Sequence, residues 1–404
     1  MLRIISLVLL MAYLCSEFFS TPINNARIIF LILWLSSAFF VDKMKLHTVL
    51  QRKKYIYFYL FLFVYFIFTM IGSNLTYSFS QSLFVIRVFV PVLIYDILKS
   101  EDSKTCNSIV FIIMGIIIFN TYTINKWIDF YGFAHGLKED IIRIGNEEYV
   151  DTLFAFVYLL PVLICALVLY LKYSIKEKKN LLQSGIILVI IIYLQALILK
   201  SLFMTAIVLS LFGIVGAVFY KKGEKMIGWF LKSIGMAIVL VGLFLTSFDL
   251  ILTYTNANTD DTFVQRVEEL KQVAIGDISQ TQDVSSRNDL MMVSLNSFLN
   301  HPLFGVHYQK VGKVDETIVG NHSQWIDELA RYGLWAILLF VFLYKSLKEQ
   351  YLNTRMILPI AIYITIGFFN PILYPIVHIT VFVLVPLLLS NIKLSKEFPI
   401  AINK

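Results

Sequence analysis

Apolar runs of about 18 residues or more recur along most of the chain, and nothing else in the sequence limits the fold so strongly. The run YIYFYLFLFVYFIFTMIG at 55–72 holds no charged residue. Wound as an α-helix at about 1.5 Å per residue, such a run reaches across the hydrocarbon core of a bilayer. Transmembrane barrel strands alternate apolar and polar residues and give no unbroken runs of this kind. Only 15% of the residues are charged and 58% are hydrophobic, where a soluble domain carries about 25% charged residues. The mean hydropathy is +0.76. The expected fold is therefore an all-α polytopic membrane protein.

About twelve spans are expected, near 2–20, 24–41, 55–72, 81–98, 108–125, 152–171, 182–199, 203–220, 227–247, 334–347, 356–370 and 374–391. The first has no small-residue cleavage site and is read as a retained helix. The basic residues explain the net charge of +7 without a nucleic-acid partner, because they gather in alternate short loops. Lys43, Lys45, Arg52, Lys53 and Lys54 form one such loop, and Lys172, Lys176, Lys178 and Lys179 another. The positive-inside rule then places both termini in the cytoplasm and the longer loops, 126–151 and 248–333, outside. This divides the chain into an N-terminal membrane region (1–247), an extracytoplasmic loop (248–333) and a C-terminal membrane region with a cytoplasmic tail (334–404).

A loop of about 85 residues is too long to lack structure of its own. Three helical patterns appear in it. The first opens at Thr262 with Gln265 in a capping-box relation and carries Arg266, which fits either a surface pair with Glu269 or a substrate contact. The second starts at Ser286, with Asp289 completing the start signal, and ends by His301 because Pro302 follows. Arg287 falls in its expected first turn, where the helix dipole favours an anion rather than a cation, so an anionic partner accounts for it better than a structural role. His301 reads as a capping or packing residue, and Gly305 as the turn after HPLF. The third pattern begins around Asn321-His322-Ser323. His322 in a first turn is held neutral by the dipole, and a neutral imidazole accepts protons, which makes it the chain's best general-base candidate. Asp327 and Glu328 follow. They suit orienting a ring or binding sugar hydroxyls, and Asp327 equally suits a pair with Arg331. Gly333 breaks the pattern before the next apolar run.

Four charges or imidazoles fall inside apolar runs: Arg87, Asp96, Lys232 and His378. Arg87 and His378 fall near the outer ends of their spans, facing a bound anionic headgroup or, for Arg87, snorkelling to lipid headgroups. Asp96 and Lys232 fall toward the other side, where snorkelling accounts for them. The three cysteines show neither pairing nor zinc spacing. No paired-Asp metal motif and no Gly-rich phosphate loop is present, so no metal or cofactor is expected.

Taken in order, Arg287, HPLFG at 301–305 and NHSQWIDELARYGL at 321–334 resemble the C-terminal region of the O-antigen polymerase and O-antigen ligase (Wzy-type) superfamily. About fifty residues carry the likeness. It implies a GT-C-like, metal-independent glycosyltransferase acting on undecaprenyl-pyrophosphate-linked glycans at the outer face of a bacterial plasma membrane. It also implies a chain-length regulator as a protein partner. Carried over by position, Arg287 takes the pyrophosphate-gripping role and His322 the role of serving the attacking hydroxyl. The sequence departs from the pattern in two places. His322 is followed by Ser323 where the family often has Asn. The turn LILKSLFMT at 197–205 lacks the family's Ser-Arg pair and offers Lys200 as a point cation instead. A polymerase is the leading expectation and a ligase the alternative within the family. A lipid-linked glycan flippase predicts inverted repeats, and the sequence shows none.

Overall fold

The computed structural model describes residues 2–18, 24–131, 147–176, 181–201, 203–219, 235–236, 242, 282–307, 318–351 and 357–390. Every regular element among them is helical. In chain order these are α1 (Leu2–Phe18), α2 (Asn24–Val41), α3 (Lys43–Leu50), α4 (Lys53–Gly72), α5 (Leu75–Leu98), α6 (Ser103–Tyr131), α7 (Glu147–Lys176), α8 (Leu181–Ser201) and α9 (Met204–Phe219). Then follow α10 (Gln282–Asn300), α11 (Gln324–Tyr332), α12 (Ala336–Tyr351) and α13 (Ile357–Phe369). The last, α14 (Pro375–Ser390), contains a π-helical stretch at Thr380–Leu384.

Five helical stretches are long and apolar enough to cross a membrane: Lys53–Gly72, Leu75–Leu98, Ser103–Ile128, Phe154–Ile175 and Leu181–Ser201. Helix also covers the remaining apolar runs except 227–247, which lies outside the described residues apart from isolated helical positions. Large apolar side chains point outward, with Phe111 80% exposed, Phe40 75% and Phe63 65%. Water would penalise such a surface, and lipid tails match it.

The centre of the bundle is α7. From Ala155 to Leu169 every residue is buried, so the helix is apolar all round, as a helix enclosed by others must be. It packs against α8, α9, α13 and α14. Gly213 lets α9 come close: a Cβ there would stand 2.8 Å from Cδ1 of Ile362 on α13 and 3.1 Å from Cβ of Cys165 on α7. In a lipid environment apolar burial between helices gains little, so close packing and internal polar bonds hold the bundle together.

Two of those polar bonds overturn the snorkelling and headgroup expectations. Asp96, at the end of α5, is 2% exposed. It receives Arg52 at 3.0 Å, Lys54 at 2.7 Å, Lys99 at 3.1 Å and the Tyr55 hydroxyl at 3.0 Å. Lys54 is itself enclosed and also pairs with Glu349 at 2.7 Å. Three cations of the basic loops thus close on one buried carboxylate. His378 is wholly buried, with Nδ1 2.7 Å from the Val88 carbonyl and Nε2 2.9 Å from the Tyr363 hydroxyl. It ties α14 to α5 and α13 and faces no headgroup. Lys232 lies outside the described residues.

Candidate functional site

The polar segment folds around two glycine turns. After α10 the chain turns through His301–Gly305, and the Gly305 N–H bonds the His301 carbonyl at 2.9 Å. This turn docks on the far end of α11: the Val306 N–H donates to the Ala330 carbonyl at 3.0 Å, and the Leu334 N–H to the Pro302 carbonyl at 2.8 Å. Gly305 (φ 65°) and Gly333 (φ 58°, ψ −141°) hold backbone conformations that a Cβ strains. HPLFG and YGL are therefore two halves of one contact.

A second contact joins α10 to the start of α11. The Ser294 hydroxyl donates to Asp327 at 2.6 Å and accepts the Gly320 N–H at 2.9 Å. The other Asp327 oxygen takes the Ser323 N–H at 3.0 Å and so caps α11 from inside. Asp327 does not pair with Arg331. That residue bonds Glu328 at 3.0 Å and also Asn321, whose positive φ of 58° brings its side chain back toward the helix. Glu328 accepts Gln324 Nε2 at 2.8 Å. The Gln324 carbonyl oxygen accepts the Ile372 and Leu373 N–H groups at 2.9 and 3.2 Å, which fixes α11 to the link between α13 and α14. Burial raises the carboxyls of Asp327 and Glu328 above the usual range, against the pull of the Arg331 guanidinium. Burial also opposes the Arg331 charge, yet the neighbouring Glu328 carboxylate outweighs it and holds the group protonated.

Together with α4, α5 and the link before α14, this unit borders an open cavity of about 300 Å³. Its polar lining includes Gln81, Gln324, Glu328, Arg331 and His307, and its walls include Tyr65, Phe89 and Tyr332. His307 is the residue that sequence reasoning missed. Thr69 donates its hydroxyl to the Tyr65 carbonyl at 2.7 Å, so toward His307 Nε2, 3.2 Å away, its oxygen acts as acceptor. The ring is then protonated on Nε2 and carries its lone pair on Nδ1. Nδ1 is buried and has no hydrogen-bond partner among the described residues. Burial, with help from Arg331, lowers the His307 pKa to about 4. The only hint in the sequence was an imidazole two residues beyond Gly305; its partner Thr69 is 238 positions away.

The expected site residues are distributed as follows. Glu328 lines the cavity. Asp327 is committed to the α11 cap. His322 lies just ahead of the Ser323 N-cap rather than in a first turn, half-buried and near enough to Asp327 to stabilise its carboxylate, and it does not line the cavity. Arg287 falls in the second turn of α10, which is helical from Gln282, so the first-turn dipole argument does not apply to it. Its side chain, like the whole of Arg266, lies outside the described residues. Arg87 forks onto Glu17 of α1 at 3.0 and 2.9 Å, an internal pair between helices. Lys200, at the end of α8, has Nζ 3.5 Å from the Asn125 carbonyl. Among the described residues no three His, Cys, Asp or Glu side chains gather as a metal site requires. Neither a scan against protein-family models nor a search of curated proteins finds a match for the chain.

Proposed function

We propose that the chain is a membrane glycosyltransferase of the polysaccharide-polymerase type. It would join undecaprenyl-pyrophosphate-linked repeat units at the outer face of a bacterial plasma membrane, within a GT-C-like layout of about twelve spans. One observation carries the reading. The pieces of the resemblance, HPLFG and NHSQWIDELARYGL, fold into a single unit that borders, with α4 and α5, a largely apolar cavity lined also by Gln324, Glu328 and Arg331.

In this mechanism a sugar hydroxyl attacks the anomeric carbon of the donor, and the lipid diphosphate leaves with the bonding electrons. Negative charge grows on the leaving group, and fixed cations lower the barrier by meeting it. Arg287 is the cation that the resemblance assigns, with Arg266 and Lys200 as further candidates. Arg87 is a weaker candidate, because Glu17 already neutralises it. His322 is the residue that the resemblance assigns to the attacking hydroxyl.

The test is a gene deletion followed by sizing of the surface glycan. Single capped units in the deletion strain support a polymerase, and long chains left on the carrier lipid support a ligase. Repeat units stranded on the cytoplasmic side would point to a flippase. Arg287→Ala and His322→Ala should each abolish polymer while the protein still inserts at wild-type level. Full-length polymer from both variants would remove those two residues from the site.

A further inference from the structure

A second cavity, of about 370 Å³, lies at the other end of α5 from the one lined by Glu328 and Arg331, and is bounded by α1, α2, α3 and the end of α5. Val85 and Leu98, one in each lining, stand roughly 20 Å apart along the helix at about 1.5 Å per residue. Two helix stripes form its walls. Arg3, Leu7 and Leu10 recur at i, i+4 and i+7 on α1, and Trp34, Ala38 and Val41 do so on α2. The trough is therefore apolar for most of its length and charged at one end, where Arg3, Asp42, Lys45 and Glu101 gather. Lys45 belongs to the first basic loop, so the charged end falls at a bilayer rim. On the same two helices Ile4, Val8 and Phe40 are exposed, a surface that lipid tails match.

The rim charges select among headgroups. Glu101 accepts from Arg3 and, at 2.6 Å, from Lys45. Asp102 stands 3.8 Å from the same Arg3 nitrogen, Nη2. Asp42 uses Oδ1 to cap α3 through the Lys45 N–H at 2.8 Å and adds its charge to the rim. The carboxylates of Asp42, Glu101 and Asp102 thus outnumber the cations Arg3 and Lys45, and a purely anionic headgroup meets an excess of negative charge. Arg3 still has donors to offer. Its side chain is 61% exposed and both of these ion pairs use Nη2, whereas a guanidinium carries five N–H groups. It can take a phosphate without releasing Glu101. The matching ligand carries a phosphate for Arg3, an N–H-bearing cation for the carboxylates and an apolar part for the trough.

We propose that this trough binds one molecule of phosphatidylethanolamine. Its phosphate meets Arg3, its ammonium turns toward the Asp42 and Glu101 carboxylates, and its glycerol ester region lies against Trp34 and Ala38. Choline carries the same charge but has no N–H to donate, and a glycerol headgroup carries no cation. A lipid seated there ties α1 and α2 to the end of α5. The site stands apart from the glycosyl-transfer reading and does not depend on it.

The test is native mass spectrometry of the full chain, delipidated in detergent and titrated separately with dioleoyl phosphatidylethanolamine, phosphatidylcholine and phosphatidylglycerol. One phosphatidylethanolamine should bind about tenfold more tightly than either of the others, the ratio that one charge-assisted hydrogen bond supplies. Arg3→Gln should weaken that binding about tenfold for the same reason. Asp42→Asn keeps a capping oxygen for α3 and removes the charge, so it should narrow the preference over phosphatidylcholine. Ala38→Phe fills the trough and should abolish binding of the single tight lipid. Arg3→Gln, at an exposed position, keeps the test decisive if Ala38→Phe fails to fold. Equal affinity for the three lipids, a preference for phosphatidylglycerol, or wild-type binding by Arg3→Gln overturns the proposal. So does a doubled chain mass without bound lipid, which would assign the trough to a second copy of the chain. Glycan sizing in the deletion strain tests the glycosyltransferase reading separately, and neither result decides the other.

Discussion

Gly305 and Gly333 meet back to back: a Cβ on Gly333 would stand 2.8 Å from the backbone nitrogen of Gly305 and 2.5 Å from the Pro302 carbonyl oxygen. The obstruction is backbone, which cannot swing aside as a side-chain tip can. Gly333 also holds φ 58° and ψ −141°, a region almost confined to glycine. Gly333→Ala should therefore destabilise the protein by about 3 kcal/mol or more. Thermal unfolding of the detergent-solubilised protein measures this, and an unchanged midpoint would show that the two turns do not interlock.

Ser294 links three segments through one hydroxyl, donating to Asp327 and accepting from Gly320. Ser294→Ala leaves a buried carboxylate oxygen and a buried N–H without partners, at a cost of about 2–4 kcal/mol. Ser294→Thr keeps the hydroxyl and should lose less. A thermal shift no larger for Ala than for Thr would mean that the bond contributes nothing.

The pH dependence of stability carries a signature of His307. Its folded pKa, about 4, lies below the ordinary 6.5, so the unfolded chain binds the extra proton between those values. The contribution is complete above pH 6.5 and is lost as pH falls toward 4; at most it amounts to roughly 3 kcal/mol. The carboxyls of Asp327 and Glu328 are shifted upward by burial, so their contribution has the opposite sign: it is present below their ordinary pKa values and is lost as pH rises above them. Comparing wild type with His307→Gln isolates the histidine, because both carboxyls remain. The unfolding midpoint of the variant should fall less between pH 6.5 and 4 than that of wild type. Parallel curves would contradict burial of the neutral ring.

Asp96 is the anchor at the other end of α5. Asp96→Asn leaves Lys54 enclosed with Glu349 as its remaining ion-pair partner among the described residues. Losing one partner of a buried pair costs about 3–5 kcal/mol, and the surviving Glu349 contact favours the lower end. Adding Lys54→Met should recover part of the loss, since the enclosed charge is then gone as well. Detergent unfolding of the single and double variants decides it; a double variant weaker than the sum of the singles would sink the account.

Much of the local structure was readable from residue order alone. Pro302 ends α10 at Asn300, Gly333 ends α11, and charge-free runs such as 55–72 are helices, because each signal acts within a few residues of where it lies. Arg87 and Asp96 were visible as charges in apolar runs, but their partners Glu17 and Lys54 lie on other helices, and no spacing rule reaches across them.

The sequence by itself determined that this is a helical chain with membrane-length apolar segments and one concentrated polar stretch, since backbone hydrogen bonding and apolar run length are local properties. Only the tertiary structure decided which polar groups meet. It turned Asp327 into a helix cap, enclosed His378 among helices, and set His307 against Thr69 beside the Arg331–Glu328 pair. Hydrogen bonds and ion pairs act over a few ångströms of space, and the folding of the chain brings together side chains that its order keeps hundreds of residues apart.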